Sequence, residues 1–485
     1  MQVMHDFDVI IIGSGIGGLI SGGILTSKGL KILMLEKNRT PGGYLSSFRR
    51  KGFLFDSALD CISGVSRGGL ISRVLEELGV EKDIRFLRID PIRISIFPNL
   101  DMIVDADIED YKERLKQAFH RESPSIKKFF DTADKVYRDL DASMNGIISG
   151  NATGYNISPE VVQCMNISYQ DLLNAYFREA ALKAILSDRC PFIGLPPTQV
   201  SALAMVTMIM SYFKHGAFRP EGGFQKLADA LILGIRKNGG KVLLGNGAKK
   251  ILLKTDNCCS GVICENDEEY TARYIISNAD FCFTFSSLLG GRHATLAKDM
   301  ESFPGLSTSF FILYAGVKGE VGQYSSIGYF PSYDMVNFFD PGMEFREDTT
   351  IGVTIASIED RSRAPEGYHT VVLHEMVEAS RKSLDKEVCS QKILKKAERI
   401  FPGIRGKIEL IDAATPQTLQ RFTGNSSGAA FGWRQLPGFR GAKKHGIKNL
   451  YTAGHWGDMG SGILASAYSG AKAANKILRC EGIAN

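Results

Sequence analysis

Hydrophobic and polar positions change period sharply within the first forty residues. Phe7 to Ile12 is a run rich in β-branched residues with one acid, as a strand buried on both faces requires. A glycine-rich turn follows, and the small and apolar residues from Leu19 to Lys28 then read as a closely packed helix. Lys31 to Leu35 is a second strand, closed by Glu36. Leu70 to Gly79 has the period of an amphipathic helix ending at a glycine, and Ile92, Ile94 and Ile96 alternate as in a strand. From 107 to 215 the period is mainly helical, over Asp110 to Phe119, Ser125 to Asp141, Tyr169 to Leu186 and Pro197 to Phe213. The last of these carries Met205, Met208 and Met210. Its length and apolarity favour a buried core helix, with a pocket-lining role as the alternative.

The pattern then repeats its opening theme. Gly222-Gly223 opens a helix, Lys241 to Leu244 is a strand, and a ladder of short strands runs to Tyr270 before Tyr274 to Asp280. A second excursion, 296 to 425, predicts strands at Ser307 to Gly316 and Tyr368 to His374 and a helix from Lys382 to Phe401, ended by Pro402-Gly403. Thr415 to Trp433 reads as a polar, glycine-rich connection suited to the wall of a pocket. At the end, a strand from Asn449 runs into a glycine-rich turn and a helix of small residues. The fold class is α/β.

Composition narrows the picture only a little. The chain has 485 residues, 44% hydrophobic and 23% charged, enough for two to three domains with ample core. A net charge of +5 is too small to argue for nucleic acid. The nine cysteines form no CxxC or Cys/His cluster, which argues against a disulfide framework and a metal site and fits a reducing cytoplasm. The first apolar run lacks a basic leader and enters the glycine turn directly, so it is read as a strand and not as a signal peptide. No run reaches the roughly 18 apolar residues of a membrane span. The expected location is cytoplasmic, with peripheral contact at the inner face of a membrane as the remaining membrane role.

The chemistry lies in the turns. Gly13-Ser14-Gly15-Ile16-Gly17-Gly18 is a GxGxxG between strand and helix, with Glu36 ending the next strand: a dinucleotide fingerprint in its required setting. Gly13 permits the tight turn, Gly15 lets backbone N–H groups approach a pyrophosphate, and Gly18 lets helix and strand pack closely. The helix N-terminus favours the phosphates, and Glu36 is placed to accept hydrogen bonds from a ribose. Arg39, Gly42, Gly43 and Tyr44 follow at once, then Gly52-Phe53-Leu54-Phe55-Asp56. A second Gly-Gly turn with an arginine adds backbone donors and a cation near the same pyrophosphate, which suits a long cofactor laid along the domain. Late in the chain, Gly454 ends a strand, His455, Trp456 and Asp458 follow, and Gly462-Ile463 open the last helix, whose N-terminus can stabilise negative charge. GxSxG and HExxH are both missing, against hydrolase chemistry.

RxxGG followed by GFxFD resembles the flavoprotein branch of amine oxidases and phytoene desaturases. The PxGGxxxL helix at Pro220, the strand at Asn246 to Ile251, the closing Ser277-Asn278-Ala279 and the Thr415 to Gly424 stretch resemble the phytoene desaturase, carotenoid isomerase and retinol saturase family in the same order. Ala248 stands where that family usually has valine. The resemblance implies bound FAD on a Rossmann-like domain of the glutathione reductase type. That domain would comprise 1–90, 219–295 and 430–485, with an inserted mixed α+β substrate domain and helical lid at 91–218 and 296–429. The FAD-binding set is then Gly13, Ser14, Gly15, Ile16, Gly17, Gly18, Glu36, Lys37, Arg39, Gly42, Gly43, Tyr44, Ala248 (backbone toward adenine), Gly454, Asp458, Gly462 and Ile463. Related flavoproteins usually have an acid soon after the strand's terminal glycine. Here three residues precede Asp458, which makes His455 and Trp456 candidates to line the flavin face.

The implied activity is flavin-dependent desaturation, isomerisation or saturation of an apolar polyene or isoprenoid, with no metal and no nucleic-acid partner. Two alternatives stay open. One is an amine oxidase, for which Tyr451 and Trp456 would form part of an aromatic cage. The other is a flavin-binding scaffold without turnover.

Overall fold

The computed structural model describes residues 5–148, 157–336, 345–381 and 384–483. One sheet carries a parallel core in the order Leu450–Thr452, Glu269–Ser277, Phe7–Ile12, Ile32–Glu36, Lys241–Leu244. The long strand Glu269–Ser277 also pairs antiparallel with Cys259–Cys264, which pairs with Ala248–Leu253. Phe7–Ile12 is buried on both faces but for Asp8, as its sequence requires. Register puts Ile12 opposite both Leu35 and Ser277, and Ser277 opposite Thr452. Three glycine- or asparagine-bearing turns, after Ile12, Ser277 and Thr452, therefore leave the sheet at one edge, the carboxyl edge where open α/β sheets bind ligands. The helix Ile16–Ser27 starts within the fingerprint, three residues earlier than the hydrophobic period indicated, so its N-terminus lies in the turn itself.

A second sheet has the order Ile408–Ala414, Ser309–Lys318, Tyr368–Val377, Ile351–Thr354, Ser326–Tyr329, Arg93–Phe97, Leu100–Val104. Its faces divide by the period of two. Phe311, Leu313, Val353 and Leu373 pack with Ile393 and Ala397 of the Lys386–Ile400 helix. Phe310, Ile312, Thr354, Val372 and His374 face a cavity. Lys382 and Ser383, the first residues of the helix expected there, lie outside the described residues.

Three expectations change, two of them in the helical block 107–215. Tyr169 to Leu186 is two helices, Tyr169–Tyr176 and Ala180–Leu186. The buried Glu122 carboxylate accepts from Arg178 N (2.7 Å) and Glu179 N (3.0 Å), which satisfies the broken turn. The Pro197 helix begins only at Ala202, after Ser201 N donates to Gln435 O. The Thr415 connection contains a helix, Pro416–Thr423, with a Thr415/Thr418 capping box and Gly424 at its C-cap in the left-handed region (φ 80°).

Candidate functional site

Glu36 is buried, and its carboxylate is held from two sides. Oε2 accepts from Ser14 N (2.9 Å) and Ser14 Oγ (2.7 Å), and Oε1 accepts from Asn38 N (2.9 Å). Ser14 Oγ in turn accepts from Gly42 N (3.1 Å), and Gly15 and Gly42 form a parallel bridge. The two glycine turns are thus one structure, with the remaining carboxylate lone pairs facing a cavity.

Asn278 fills the space between the turns. A methyl group built on Gly15 would lie 2.7 Å from its Nδ2, one on Gly17 2.6 Å from its Oδ1, and one on Gly454 2.5 Å from Oδ1. A methyl on Gly18 would meet Gly13 O at 2.1 Å, and one on Gly470 would meet Gly17 O at 2.1 Å. The fingerprint helix is clamped between its own strand and the last helix, Ile463–Cys480, which only glycine permits.

The cavity holds about 900 Å³, toward the upper end of the roughly 300–1,000 Å³ usual for ligand sites. Of the residues singled out in the sequence, Gly13, Gly15, Ile16, Gly17, Glu36, Lys37, Gly42, Gly43, Tyr44, Ala248, Gly454, His455, Asp458, Gly462 and Ile463 line it. Ser14 and Gly18 stand behind the wall, the first as Glu36's clamp and the second at the helix–strand contact. Arg39 is exposed and does not line it, because its stem turns toward Gly245. Trp456 does not line it either. Its ring is buried edge-on to Trp433, with Nε1 donating to Asn425 Oδ1 (2.9 Å), so it braces the wall and forms no flavin face. Tyr451 points instead toward Cys480. The aromatic cage drawn from Tyr451 and Trp456 therefore does not form. Asp458 pairs with Lys472 (2.6 Å) at the rim.

The dinucleotide end has the donor and acceptor set that FAD needs: a held carboxylate for a ribose, glycine turns without Cβ atoms for the pyrophosphate, and two helix N-termini for negative charge. Beyond it, Tyr44 and His455 meet edge-on at 6.2 Å. Tyr44 donates to Ala429 O (3.2 Å), and burial pushes its phenol up to about 12. Burial holds the His455 imidazole down to about 4, so it is neutral at pH 7. On the same cavity wall Phe431 meets Phe310 (5.7 Å) and Phe310 meets His374 (5.8 Å), an aromatic track along the second sheet. His374 is also held down to about 4, first by burial.

The methionine helix contributes both readings at once. Met205 and Met210 are fully buried in the core, while Met208 lines the cavity with Leu203, Ala204, Thr207, Ser211 and Tyr212. Asp60 also reaches the cavity, but its oxygens are taken by Arg219 (2.5 Å), Ser326 (2.5 Å) and Thr354 (3.0 Å). It is a strut and no free base.

Sequence reasoning gave no role to Asn278, Asp280, Phe310, His374 or Tyr212. Asp280 lines the cavity and accepts from Ser426 N (2.8 Å) and Phe283 N (2.7 Å). The Ser-Asn-Ala motif pointed to Asn278. His374 showed only as a polar residue on an alternating strand. Among the described residues no His/Cys/Asp/Glu cluster could hold a metal ion, and no helix is long and apolar enough to cross a membrane.

Residues 11–78 match the model of the NAD(P)-binding Rossmann-like domain. Over its whole length the chain is 27% identical to prolycopene isomerase 1, chloroplastic, of an Oncidium hybrid cultivar, covering 86% of that protein. It is 25% identical to human all-trans-retinol 13,14-reductase over 89% of this chain and 78% of that one. It is 23% identical to a 4,4'-diapophytoene desaturase of Methylomonas sp. over 97% and 94%. Among solved structures, a putrescine oxidase double mutant superposes with a TM-score of 0.66 at 14% identity, covering 98% of this chain and 99% of that one. That likeness concerns the fold alone. The chain is thus similar along most of its length to a prolycopene isomerase, an all-trans-retinol 13,14-reductase and a diapophytoene desaturase, and it shares its fold with a putrescine oxidase.

Proposed function

We propose that the protein is an FAD-dependent oxidoreductase acting on C–C or C=C bonds of an apolar polyene or isoprenoid lipid, by desaturation, isomerisation or saturation. The observation that carries this is a single cavity, continuous from the glycine fingerprint to an apolar wall. The relatives carry the names of an isomerase, a reductase and a desaturase of such compounds. In this reading 1–90, 219–295 and 430–485 form the FAD-binding unit and the remainder the substrate unit. Strands of the first sheet come from the former set and strands of the second from the latter. Peripheral contact with a membrane follows from where such a substrate resides.

Bound flavin supplies hydride or electron exchange at its ring. The chain supplies the rest. Glu36 and the paired glycine turns fix the adenosine end, and the N-terminus of Ile463–Cys480 favours negative charge nearby. Phe310, Ile312 and Val372 on one side, with Leu203 and Ala204 on the other, hold an apolar chain and exclude water. His455, neutral and half-buried beside Tyr44, is a group able to hold a proton at a ring nitrogen within the pocket.

The test is the visible spectrum of the purified protein, followed by anaerobic addition of polyenes. Bleaching of flavin bands by a saturated precursor identifies a desaturase. A change in the polyene only with pre-reduced protein identifies an isomerase or saturase. Protein that neither purifies with flavin nor takes it up overturns the proposal.

A further inference from the structure

The acid that takes a ribose also fixes where the base on that ribose must go. The Glu36 carboxylate accepts from the fingerprint turn, and the Glu36 carbonyl accepts from Asn246 N (3.0 Å). The segment Asn246 to Ala248 therefore runs directly beside it, and Gly247 and Ala248 line the cavity. The pyrophosphate belongs at the glycine turns, so the base, one glycosidic bond from the ribose, falls on the Asn246 to Ala248 side.

The first feature of this corner is an acceptor. Glu265 stands on the cavity wall, at the start of an exposed hairpin turn. Its Oε2 accepts from Gly247 N (3.2 Å), and a methyl group built on Gly247 would lie 3.1 Å from Oε1. No described donor takes Oε1. Lys37 also abuts Gly247, its Cβ 3.0 Å from the same methyl, but its Nζ donates to Arg421 O (3.0 Å). A carboxylate only accepts hydrogen bonds, so Glu265 presents an acceptor to whatever fills this corner.

The second feature is flat apolar surface. Of the large apolar side chains exposed among the described residues, Phe283 and Phe422 are the two that line the cavity. Phe422 is 58% exposed at the end of the helix Pro416–Thr423, and its carbonyl accepts from Asn38 Nδ2 (2.7 Å), two residues after Glu36. Phe283 is 41% exposed, and its short helix, Phe283–Leu288, packs on the strand Ala248–Leu253. One carboxylate holds both segments, since Asp280 accepts from Phe283 N (2.7 Å) and from Ser426 N (2.8 Å). Aromatic rings left open on a polar pocket gain a partner when a purine stacks on them.

We propose that Glu265, Phe283 and Phe422 form a base subsite selective for a 6-aminopurine, with Glu265 Oε1 accepting from the exocyclic amino group and the phenylalanines covering the ring. This rests on FAD being the cofactor, as in the reading above, and adds the groups that choose its base. A 6-oxopurine sets an acceptor against the carboxylate, so the site rejects it by repulsion as well as by a lost hydrogen bond. The phenylalanines are indifferent to that substituent, because every purine has a π-face.

The experiment is uptake of FAD, and of its analogue with hypoxanthine in place of adenine, by the full-length protein stripped of flavin, read from the change in flavin fluorescence. FAD is expected to bind about tenfold more tightly than the analogue. Glu265→Gln, whose carboxamide can donate to a 6-oxo group, should bring the two to near parity. Phe283→Ala and Phe422→Ala should each weaken both dinucleotides about tenfold and leave their ratio unchanged, and Phe422→Tyr should restore them. Because the three side chains are exposed, the flavin-free variants should melt with the unaltered protein. An early melt of the alanine variants assigns the phenylalanines to packing and overturns their stacking role. Equal affinity of the unaltered protein for the two dinucleotides, a preference retained in Glu265→Gln, or undiminished FAD binding in both alanine variants overturns the subsite and leaves FAD as cofactor. Failure to take up either dinucleotide overturns the FAD reading itself.

Discussion

Ser14 gives Glu36 two hydrogen bonds, from its backbone N–H and from its hydroxyl, and both fall on the same carboxylate oxygen. The acid is therefore oriented before any ligand arrives. Glu36→Ala should weaken FAD binding about tenfold to a hundredfold, the range for losing hydrogen bonds to a charged group. Ser14→Ala, which leaves the carboxylate but loosens it, should cost less. Flavin retained per protein after gel filtration measures both, and a Glu36→Ala protein with full flavin removes the residue from the ribose role.

Asn278 gives a sharper test of the glycine turn. Gly15→Ala meets only the Asn278 side chain, at 2.7 Å, whereas Gly17→Ala also meets Gly454 N at 2.5 Å. Flavin binding lost in Gly15→Ala should be partly restored by adding Asn278→Ala. No such rescue is expected for Gly17→Ala, because backbone cannot move aside. Thermal melts and flavin content of the two double variants decide it.

Asp56, the acid of GFxFD, has a structural task. It pairs with the fully buried Arg363 (2.5 Å) and accepts from Ser47 Oγ (2.5 Å) and Phe224 N (2.8 Å). Asp56→Ala leaves Arg363 Nη1 without its partner while Asp360 still pairs with Nε (3.2 Å), and a loss of about 1–3 kcal/mol of stability is expected, the range for a buried polar group left unpaired. Chemical denaturation measures it. Asp56→Leu with Arg363→Met should cost less than Asp56→Ala alone.

The methionines separate core from pocket. Met205→Ala and Met210→Ala should each cost about 2–5 kcal/mol, as deletions in a packed core do. Met208→Ala should leave stability nearly unchanged and weaken polyene binding. Equal stability losses at all three would return Met208 to the core.

His374 and His455 make stability depend on pH. Each has its usual value of 6.5 lowered to about 4 by burial. Above pH 6.5 both are neutral in folded and unfolded chains. As pH falls from 6.5 toward 4 the unfolded chain takes up protons that the folded one refuses, so stability is lost across that window. Denaturation midpoints at pH 7, 5.5 and 4.5 should fall together, on the order of a few kcal/mol overall. His374→Phe should flatten part of the decline.

The nucleotide end was legible because its chemistry is local: strand, turn, helix and acid lie within one stretch, and each glycine answers to a nearby atom. Trp456 misled because a residue beside a motif shares its neighbourhood without sharing its direction, and the Asn425 acceptor that turns the ring inward lies in a separate segment of the chain. Arg39 misled in the same way, since the turn at Gly245 that draws its stem outward is remote in sequence. The break at Phe177 depended on Glu122, more than fifty residues earlier. His374 acquired its place only when Ser309–Lys318 and Ile351–Thr354 paired on either side of its strand.

The walls of the nucleotide end come from Gly13 to Tyr44, from Asn278 to Asp280, and from Gly454 to Ile463. The strand Leu450–Thr452 reaches its place only by pairing with Glu269–Ser277, and the helix after it closes on Gly17. During synthesis, then, the fingerprint leaves the ribosome long before anything exists for it to close around. Cofactor capture must wait for the segment beyond residue 450, so it is a late, post-translational event. Until then the growing chain carries an open apolar trough, the kind of transiently exposed surface that favours association between unfinished chains.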